Sequence, residues 1–332
     1  MSRWLLTGGA GYIGSHVAVE LLASGRDVVI VDDLSTGFAA RIADSAAFVE
    51  GSVQDTKLLA KVMRERDIDG VVHLAAKKAV GESVERPLYY YRENVDGVLA
   101  VLAAMNEAGV DKIVYSSSAA AYGEPAVGEV AEDEPTVPTS PYGETKLIGE
   151  WMVRAQAESQ RLAGSGLANV SLRYFNVAGA GSDLLGDTSV ANLIPMALRA
   201  TTSDKRPMIF GTDYPTPDGT CIRDYIHVVD LARSHVAAAE LCERDSQGQL
   251  SELFNVGRGS GSSVREVLAM VSEVLGYDVD PQDVERRQGD PAVLVARTEK
   301  IERVLGWKAE LDLRDMVQSA WSAWPHAVSL RA

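Results

Sequence analysis

Cysteine is scarce in this chain: Cys221 and Cys242 are its two thiols among 332 residues. Two thiols supply neither a disulfide framework nor a zinc site, which excludes a stapled secreted scaffold. The five histidines are scattered, so no metal is expected. Positive charge is also short, with 32 Lys and Arg against 47 Asp and Glu, a net charge of −15. Such a chain repels phosphate backbones at long range, so no nucleic-acid partner is expected, although a local basic pocket for a small phosphorylated ligand stays open. Long apolar runs are missing. The run at Trp4-Leu-Leu stops after three residues, too short for a signal peptide's core. No stretch approaches the ~18 apolar residues of a spanning helix. The expectation is a soluble, cytoplasmic protein with no membrane partner. Repeats and low-complexity tracts are absent as well.

What is present looks globular: 46% hydrophobic and 24% charged residues, in a length suited to about two domains. Short apolar runs alternate with amphipathic ones. Strands are expected at Trp4–Thr7, Val28–Val31, Phe48–Val49, Val71–Leu74, Ile113–Tyr115, Val170–Tyr174 and Leu253–Val256. Helices are expected at Gly11–Ala23, Lys57–Glu65, Leu88–Ala108, from Ser140-Pro141 to about Leu162, and at Val228–Leu241. This alternation implies βαβ units and an α/β fold with a doubly wound, mostly parallel sheet. After Asn176 the pattern breaks. Gly, Asp, Ser and Pro cluster at 179–187 and 211–219, which marks a loop-richer binding region. The acidic stretch 128–134 is expected to be a solvated loop.

Between the first strand and the first helix lies Thr7-Gly-Gly-Ala-Gly-Tyr-Ile-Gly14. Its Gly8, Gly11 and Gly14 permit a tight turn and close approach of backbone to a pyrophosphate, which then faces a helix N-terminus. Glycine triplets also serve packing, but this one sits in the strand–turn–helix context that dinucleotide binding requires. Asp32 ends the second strand, where an acid accepts from an adenosine ribose and repels the extra phosphate of NADP. NAD is therefore the expected cofactor.

Tyr142-Gly-Glu-Thr-Lys146 opens the long helix. Residues four apart share a helical face, so an ammonium neighbours a phenol and is expected to lower its pKa toward that of a general base. Ser116-Ser-Ser118 is expected to follow the fifth strand, where the Ser118 hydroxyl points into the ligand crevice of open α/β sheets.

Thr7 to Gly14, Ser116 to Gly123, Tyr142 to Lys146 and Arg173-Tyr-Phe-Asn176 together resemble the extended short-chain dehydrogenases/reductases. The runs 73–84, 213–220 and Arg223-Asp-Tyr-Ile-His-Val228 narrow the resemblance to their UDP-sugar 4-epimerases, over most of the chain. The resemblance implies a Rossmann domain over 1–175, with returns at about 228–257. It implies a smaller, mixed α/β substrate-binding domain over 176–227 and 258–332. The implied catalytic residues are Ser118, Tyr142 and Lys146. The implied NAD contacts are the three glycines, Tyr12, Ile13, Asp32, Asp33, Leu34, Ser35, Thr36, Gly37, Ser52, Val53, Leu74, Ala75, Ala76, Lys78, Asn94 and Phe175, besides the catalytic three. The implied UDP-sugar contacts are Lys78, Ser118, Tyr142, Asn176, Asn192, Leu193, Phe210, Arg223, Arg287, Asp290 and Leu294. Two guanidiniums, Arg223 and Arg287, suit a diphosphate. The implied activity interconverts UDP-glucose and UDP-galactose through a 4-keto sugar, in a homodimer paired through the helices at 88–108 and 142–162.

Three departures from that pattern stand in the chain. Ser52 stands where an adenine-facing Asp is common. Ala296-Arg-Thr-Glu-Lys300 replaces a commoner Ala-Asp-x-Ser-Lys. Leu294 falls where relatives carry Tyr or Cys, which opens the alternative of an N-acetylated UDP-sugar; a UDP-pentose is a further one. A 4,6-dehydratase is disfavoured, because Ser118 is followed by Ala119-Ala-Ala121 and not by an Asp-Glu pair. A non-catalytic nucleotide sensor is disfavoured by the retained Tyr142 and Lys146.

Overall fold

The computed structural model describes residues 1–189, 191–287 and 290–330. The chain divides into two compact units, Met1–Ala121 with Pro138–Arg173 and Ala232–Phe254, and Tyr122–Val137 with Tyr174–Leu231 and Asn255–Ala332.

The first unit is built on a seven-stranded sheet. Its order is Ser251–Val256, Ala168–Tyr174, Lys112–Ser118, Gly70–His73, Arg3–Thr7, Asp27–Asp32, Ala47–Glu50. From the Lys112–Ser118 strand to the Ala47–Glu50 strand the pairings are all parallel. The expected doubly wound sheet is therefore present, and its strands are apolar on both faces because helices cover both. Leu5, Val29, Val71 and Ile113 pack with Leu59, Met63, Val101 and Met105 of the flanking helices in one buried cluster. Each such aliphatic contributes roughly 1.5–3 kcal/mol by leaving water.

Local chemistry sets the helix ends. The Thr56–Glu65 helix starts where the Asp55 carboxylate accepts from the Leu58 amide at 3.0 Å. The Pro141–Leu162 helix starts where Ser140 Oγ accepts from the Gly143 amide at 3.2 Å, with Pro at the first position. The helix expected over 88–108 is interrupted. It runs Pro87–Tyr90, widens to a π turn at Tyr91–Val95 and resumes at Asp96–Ala108. The π turn carries the buried Asn94, and such turns are frequent at functional sites. Ser116 to Ser118 belong to the fifth strand itself rather than following it.

In the second unit, the Ile222–His227 strand pairs antiparallel with Gly261–Ser263 and parallel with Val293–Ala296 and Asn176–Ala178. The expectation of a solvated loop at 128–134 is corrected here. Glu129–Val130 is a short strand in parallel register with Val295 and Ala296. Val130 is fully buried, and that burial outweighs the acidity of its neighbours. Helices Leu193–Thr201, Val264–Leu275 and Leu313–Ser329 close a second core around Ile209, Leu198, Leu268, Met316 and Trp324. A Ser263–Glu266 capping box starts the middle one.

Candidate functional site

In the first unit the sheet order reverses beside the Arg3–Thr7 strand, where ligands of such sheets bind. Gly8 leaves that strand at φ +75°, in the left-handed region glycine adopts without strain. A Cβ on Gly14 would stand 2.1 Å from the Gly8 carbonyl oxygen, so only glycine closes this turn. The Tyr12–Ala23 helix begins with no side-chain cap and no acid in its first turn. An unshielded helix N-terminus behind a tight glycine turn fits the pyrophosphate of NAD.

Asp32, nearly buried, organises the rest of the turn. Its carboxylate accepts from the Ala10 amide at 3.0 Å and from the Leu34 amide at 2.8 Å. Burial raises its pKa, against the lowering by those two amides. Leu34 takes a left-handed φ of 56°, and the Phe38 amide returns to the Ala10 carbonyl at 3.0 Å. Asp33, Ser35, Thr36 and Gly37 thereby lie on one loop folded against the glycine turn. Asp33 accepts from the Ser35 amide at 2.9 Å, and Ser35 Oγ from Lys77 Nζ at 3.0 Å. Ser52 Oγ accepts from the Gln54 amide at 3.2 Å, so it is engaged in its own turn, and Val53 packs on the core.

The segment after His73 meets the same turn. A Cβ on Gly8 would stand 2.8 Å from the Ala75 amide nitrogen. Thr7 Oγ1 accepts weakly from the Leu74 and Ala75 amides at 3.3 and 3.4 Å. Lys78 Nζ lies 5.9 Å from the centre of the Tyr12 ring. Asn94 Oδ1 accepts from the Lys77 amide at 2.8 Å, and its Nδ2 donates to Thr145 Oγ1 at 2.9 Å. One buried amide thus ties the cofactor loop to the helix that carries Tyr142.

Tyr142 and Ser118 come together, and Lys146 lies one turn on along the helix that carries Tyr142. A Cβ on Gly143 would stand 2.5 Å from the Ala120 carbonyl oxygen, so glycine is what lets the helix approach the turn after Ser118. Tyr142, half-buried, is hydrogen-bonded to Ser118. Lys146, almost wholly buried, donates to the Ser116 carbonyl at 2.8 Å and lies 5.5 Å from the centre of the Tyr115 ring. The expected lowering of the phenol pKa is corrected here. Burial raises it, and the bond with Ser118 lowers it only in part. The ammonium is itself brought down to about 8, by burial first, with Glu150 opposing.

The second unit carries the other sequence candidates. Arg223 and Leu294 are register partners in adjacent parallel strands. Arg223 Nη2 lies 3.5 Å from Asp290 Oδ1, and Nη1 donates to the Ile222 carbonyl at 2.9 Å. The Arg287 guanidinium lies over the Phe210 ring, 3.8 Å from its centre. Asn192 begins the Leu193–Thr201 helix and donates to Asp187 at 3.1 Å. Asn176 is hydrogen-bonded to Tyr225. Phe175, read as an NAD contact, belongs to this unit, with its amide donating to the Val256 carbonyl at 3.2 Å.

Sequence reasoning passed over four side chains that hold these groups in place. They are His73, Glu150, Arg173 and Asp224. Asp224 is fully buried and accepts from the Arg258, Gly259 and Ala296 amides at 2.8, 3.0 and 3.2 Å. Burial raises its pKa to about 6 against those three bonds. His73, Arg173 and Asp224 stand in the motifs quoted above without a role of their own, and Glu150 is signalled by its place four residues after Lys146.

A dinucleotide turn with a Ser–Tyr–Lys group beside it defines a nucleotide-dependent oxidoreductase scaffold. The model of the NAD dependent epimerase/dehydratase family matches residues 4–257, and the chain belongs to that family. It is 45% identical to the UDP-glucose 4-epimerase of Corynebacterium glutamicum, over 96% of this chain and 95% of that one. It is similar to the crystal structure of UDP-glucose 4-epimerase from Stenotrophomonas maltophila with bound NAD and formylated UDP-arabinopyranose. That match has a TM-score of 0.93 and 40% identity, and covers 100% of both chains. The Brucella ovis UDP-glucose 4-epimerase in complex with NAD matches at a TM-score of 0.91 and 38% identity, over 98% of this chain and 99% of that one.

Proposed function

We propose that the chain is an NAD-dependent UDP-glucose 4-epimerase that interconverts UDP-glucose and UDP-galactose. The observation that carries this reading is the hydrogen-bonded Tyr142–Ser118 pair with the buried Lys146 one helical turn on, in the same unit as the glycine turn. Bound NAD would supply a reversible hydride acceptor for oxidation and re-reduction at sugar C4. The side chains do the rest. Tyr142 Oη removes the proton of the sugar 4-hydroxyl and gives it back after the sugar has turned. Ser118 steadies the reacting oxygen by hydrogen bonding, and Lys146 supplies positive charge to the phenolate. Asp32 serves the adenosine ribose, with Gly8, Gly11 and Gly14 at the pyrophosphate. Arg223 and Arg287 serve the diphosphate of the substrate, and Asp290 its ribose. The first unit is thus read as the cofactor domain and the second as the UDP-sugar domain.

We infer a cytoplasmic homodimer. Among the described residues no helix is long and apolar enough to cross a membrane. Val84, Leu88, Leu99 and Trp151 lie exposed on the helices at 80–108 and 141–162 and supply an apolar surface for a second copy. Analytical ultracentrifugation tests this directly.

A second reading extends the substrates to other UDP-sugars. The ligand in the Stenotrophomonas relative is a UDP-pentose derivative. Leu294, smaller than Tyr and in register with Arg223, favours room for an N-acetyl group. The primary test is conversion of UDP-galactose to UDP-glucose without added reductant, in a coupled assay. Absence of turnover with NAD-loaded protein would overturn the proposal.

A further inference from the structure

The Pro141–Leu162 helix presents Tyr142, Lys146 and Glu150 at intervals of four, along one face. The third of these is itself nearly buried and carries an elaborate seat. Arg173 of the adjacent strand donates Nε to Glu150 Oε1 at 2.8 Å and Nη2 to Oε2 at 2.7 Å. Arg173 is 4% and Glu150 9% exposed, so the pair sits out of water. Ser117 Oγ donates to the same Oε1. A buried ion pair is a poor source of stability, since apolar residues of equal volume often do as well. Its position therefore needs another reason. Ser117 lies next to Ser116, whose carbonyl holds the Lys146 ammonium at 2.8 Å, and next to Ser118, the partner of Tyr142.

Lys146 has few sources of negative charge. From its own helix Tyr142 and Glu150 face it. From the sheet come Tyr115, whose ring lies 5.5 Å away, and His73. His73 is neutral, its pKa driven to about 3 by burial and then by Lys146. On the helices over 80–95 Tyr90, whose phenol interacts with that of Tyr142, is tied to Glu82 at 2.9 Å, and Tyr91 is tied to Glu144. Glu150 is the carboxylate whose charge reaches Lys146 and opposes its deprotonation by burial.

We propose that Glu150 is a positioning residue for the epimerisation: its carboxylate, seated by Arg173 and Ser117, keeps the buried Lys146 ammonium charged beside Tyr142. This rests on the function proposed above, in which a charged Lys146 supports the phenolate. Removing the charge lets Lys146 lose its proton at lower pH, and the alkaline limb of the rate profile moves down with it.

The test uses NAD-loaded protein and two readouts. The first is an NMR titration of 13Cε-labelled lysine, with the Lys146 signal assigned by its loss in Lys146→Met. The second is the pH profile of kcat. Glu150→Gln is expected to lower the Lys146 titration and the alkaline limb by about one pH unit. Arg173→Met leaves the carboxylate unshared and is expected to lower neither. A merely structural ion pair would respond alike to loss of either partner. Should Glu150→Gln fail to fold with Arg173 unpaired, the double variant Glu150→Gln/Arg173→Met removes both charges and is expected to show a smaller downward shift, because loss of the guanidinium partly offsets loss of the carboxylate. An unchanged Lys146 titration in a folded variant lacking the Glu150 charge overturns the proposal. The NMR readout stands even if the wild type turns over no UDP-sugar, so that failure would strike only the assigned function.

Discussion

Thr7 Oγ1 and His73 Nδ1 lie 2.8 Å apart at the ends of two paired parallel strands, Arg3–Thr7 and Gly70–His73. The hydroxyl accepts from the Leu74 and Ala75 amides. Its own proton is then left for Nδ1, which sets the neutral, Nε2–H tautomer of His73. A pKa lowered to about 3, by burial first and then by Lys146, keeps the ring neutral throughout the working range. The bond joins the two loops that the NAD reading invokes.

Thr7→Val keeps the shape and removes that oxygen. NAD affinity is expected to fall roughly tenfold, about 1.4 kcal/mol. Titration calorimetry of stripped protein measures it, and unchanged affinity would remove the loop-clamping role.

Tyr142→Phe is expected to cut kcat by roughly 10²–10⁴-fold while NAD affinity stays within a few-fold. Ser118→Ala should lose less, because water can replace a hydroxyl. A Phe variant retaining a tenth of wild-type turnover would contradict the assignment of Tyr142 as the proton carrier.

Gly14→Ala forces a methyl within 2.1 Å of the Gly8 oxygen, so the turn must open. The purified variant is expected to lack NAD, read as loss of its 340 nm band after addition of UDP-sugar. Asp32 predicts the cofactor choice as well: NADP should not support turnover, since its extra phosphate meets a carboxylate.

Glu243 gives the first unit an acid-sensitive anchor. Burial raises its pKa, but bonds from Arg26 at 2.6 and 3.0 Å, Ser2 at 2.6 Å and Trp4 at 2.9 Å outweigh burial and leave it at about 2. A depressed carboxylate stabilises the fold above its unfolded pKa and loses that contribution as pH falls through the folded one. After solvent screening of this partly exposed pair, about 1 kcal/mol should disappear between roughly pH 4.5 and 2. Denaturant melts of wild type against Glu243→Gln follow it: the gap between them should close over that window.

Leu294→Tyr fills the position in register with Arg223. Turnover of UDP-GlcNAc should drop while that of UDP-galactose persists. A wild type inactive on UDP-GlcNAc ends the extended-substrate reading.

Much of the first unit was legible because its signals are local. The Val28–Val31 run became the strand Asp27–Asp32, and Ser140-Pro141 did start a helix that ends at Leu162. The turn from Thr7 to Gly14 announced its chemistry through glycine spacing. The π turn at Tyr91–Val95 had no such signal, because its widening answers to packing around Asn94. Nor did the Glu129–Val130 strand, since pairing with Val295 is a contact between residues far apart in sequence. In the second unit the family resemblance named Arg223, Arg287 and Asp290. The ion pair of the first with the third, and the seating of Arg287 on Phe210, came only from folding.

Residue order alone settled the βαβ rhythm, the glycine turn and the placing of Tyr142 and Lys146 on one helical face, because these depend on backbone propensity and short-range periodicity. Three-dimensional packing decided the protonation landscape. Whether a phenol rises, an ammonium falls to about 8 or a histidine is silenced depends on burial and on partners brought in from distant strands. Those quantities are set by solvent exclusion and by charges close in space, and neither is written in neighbouring letters of the chain.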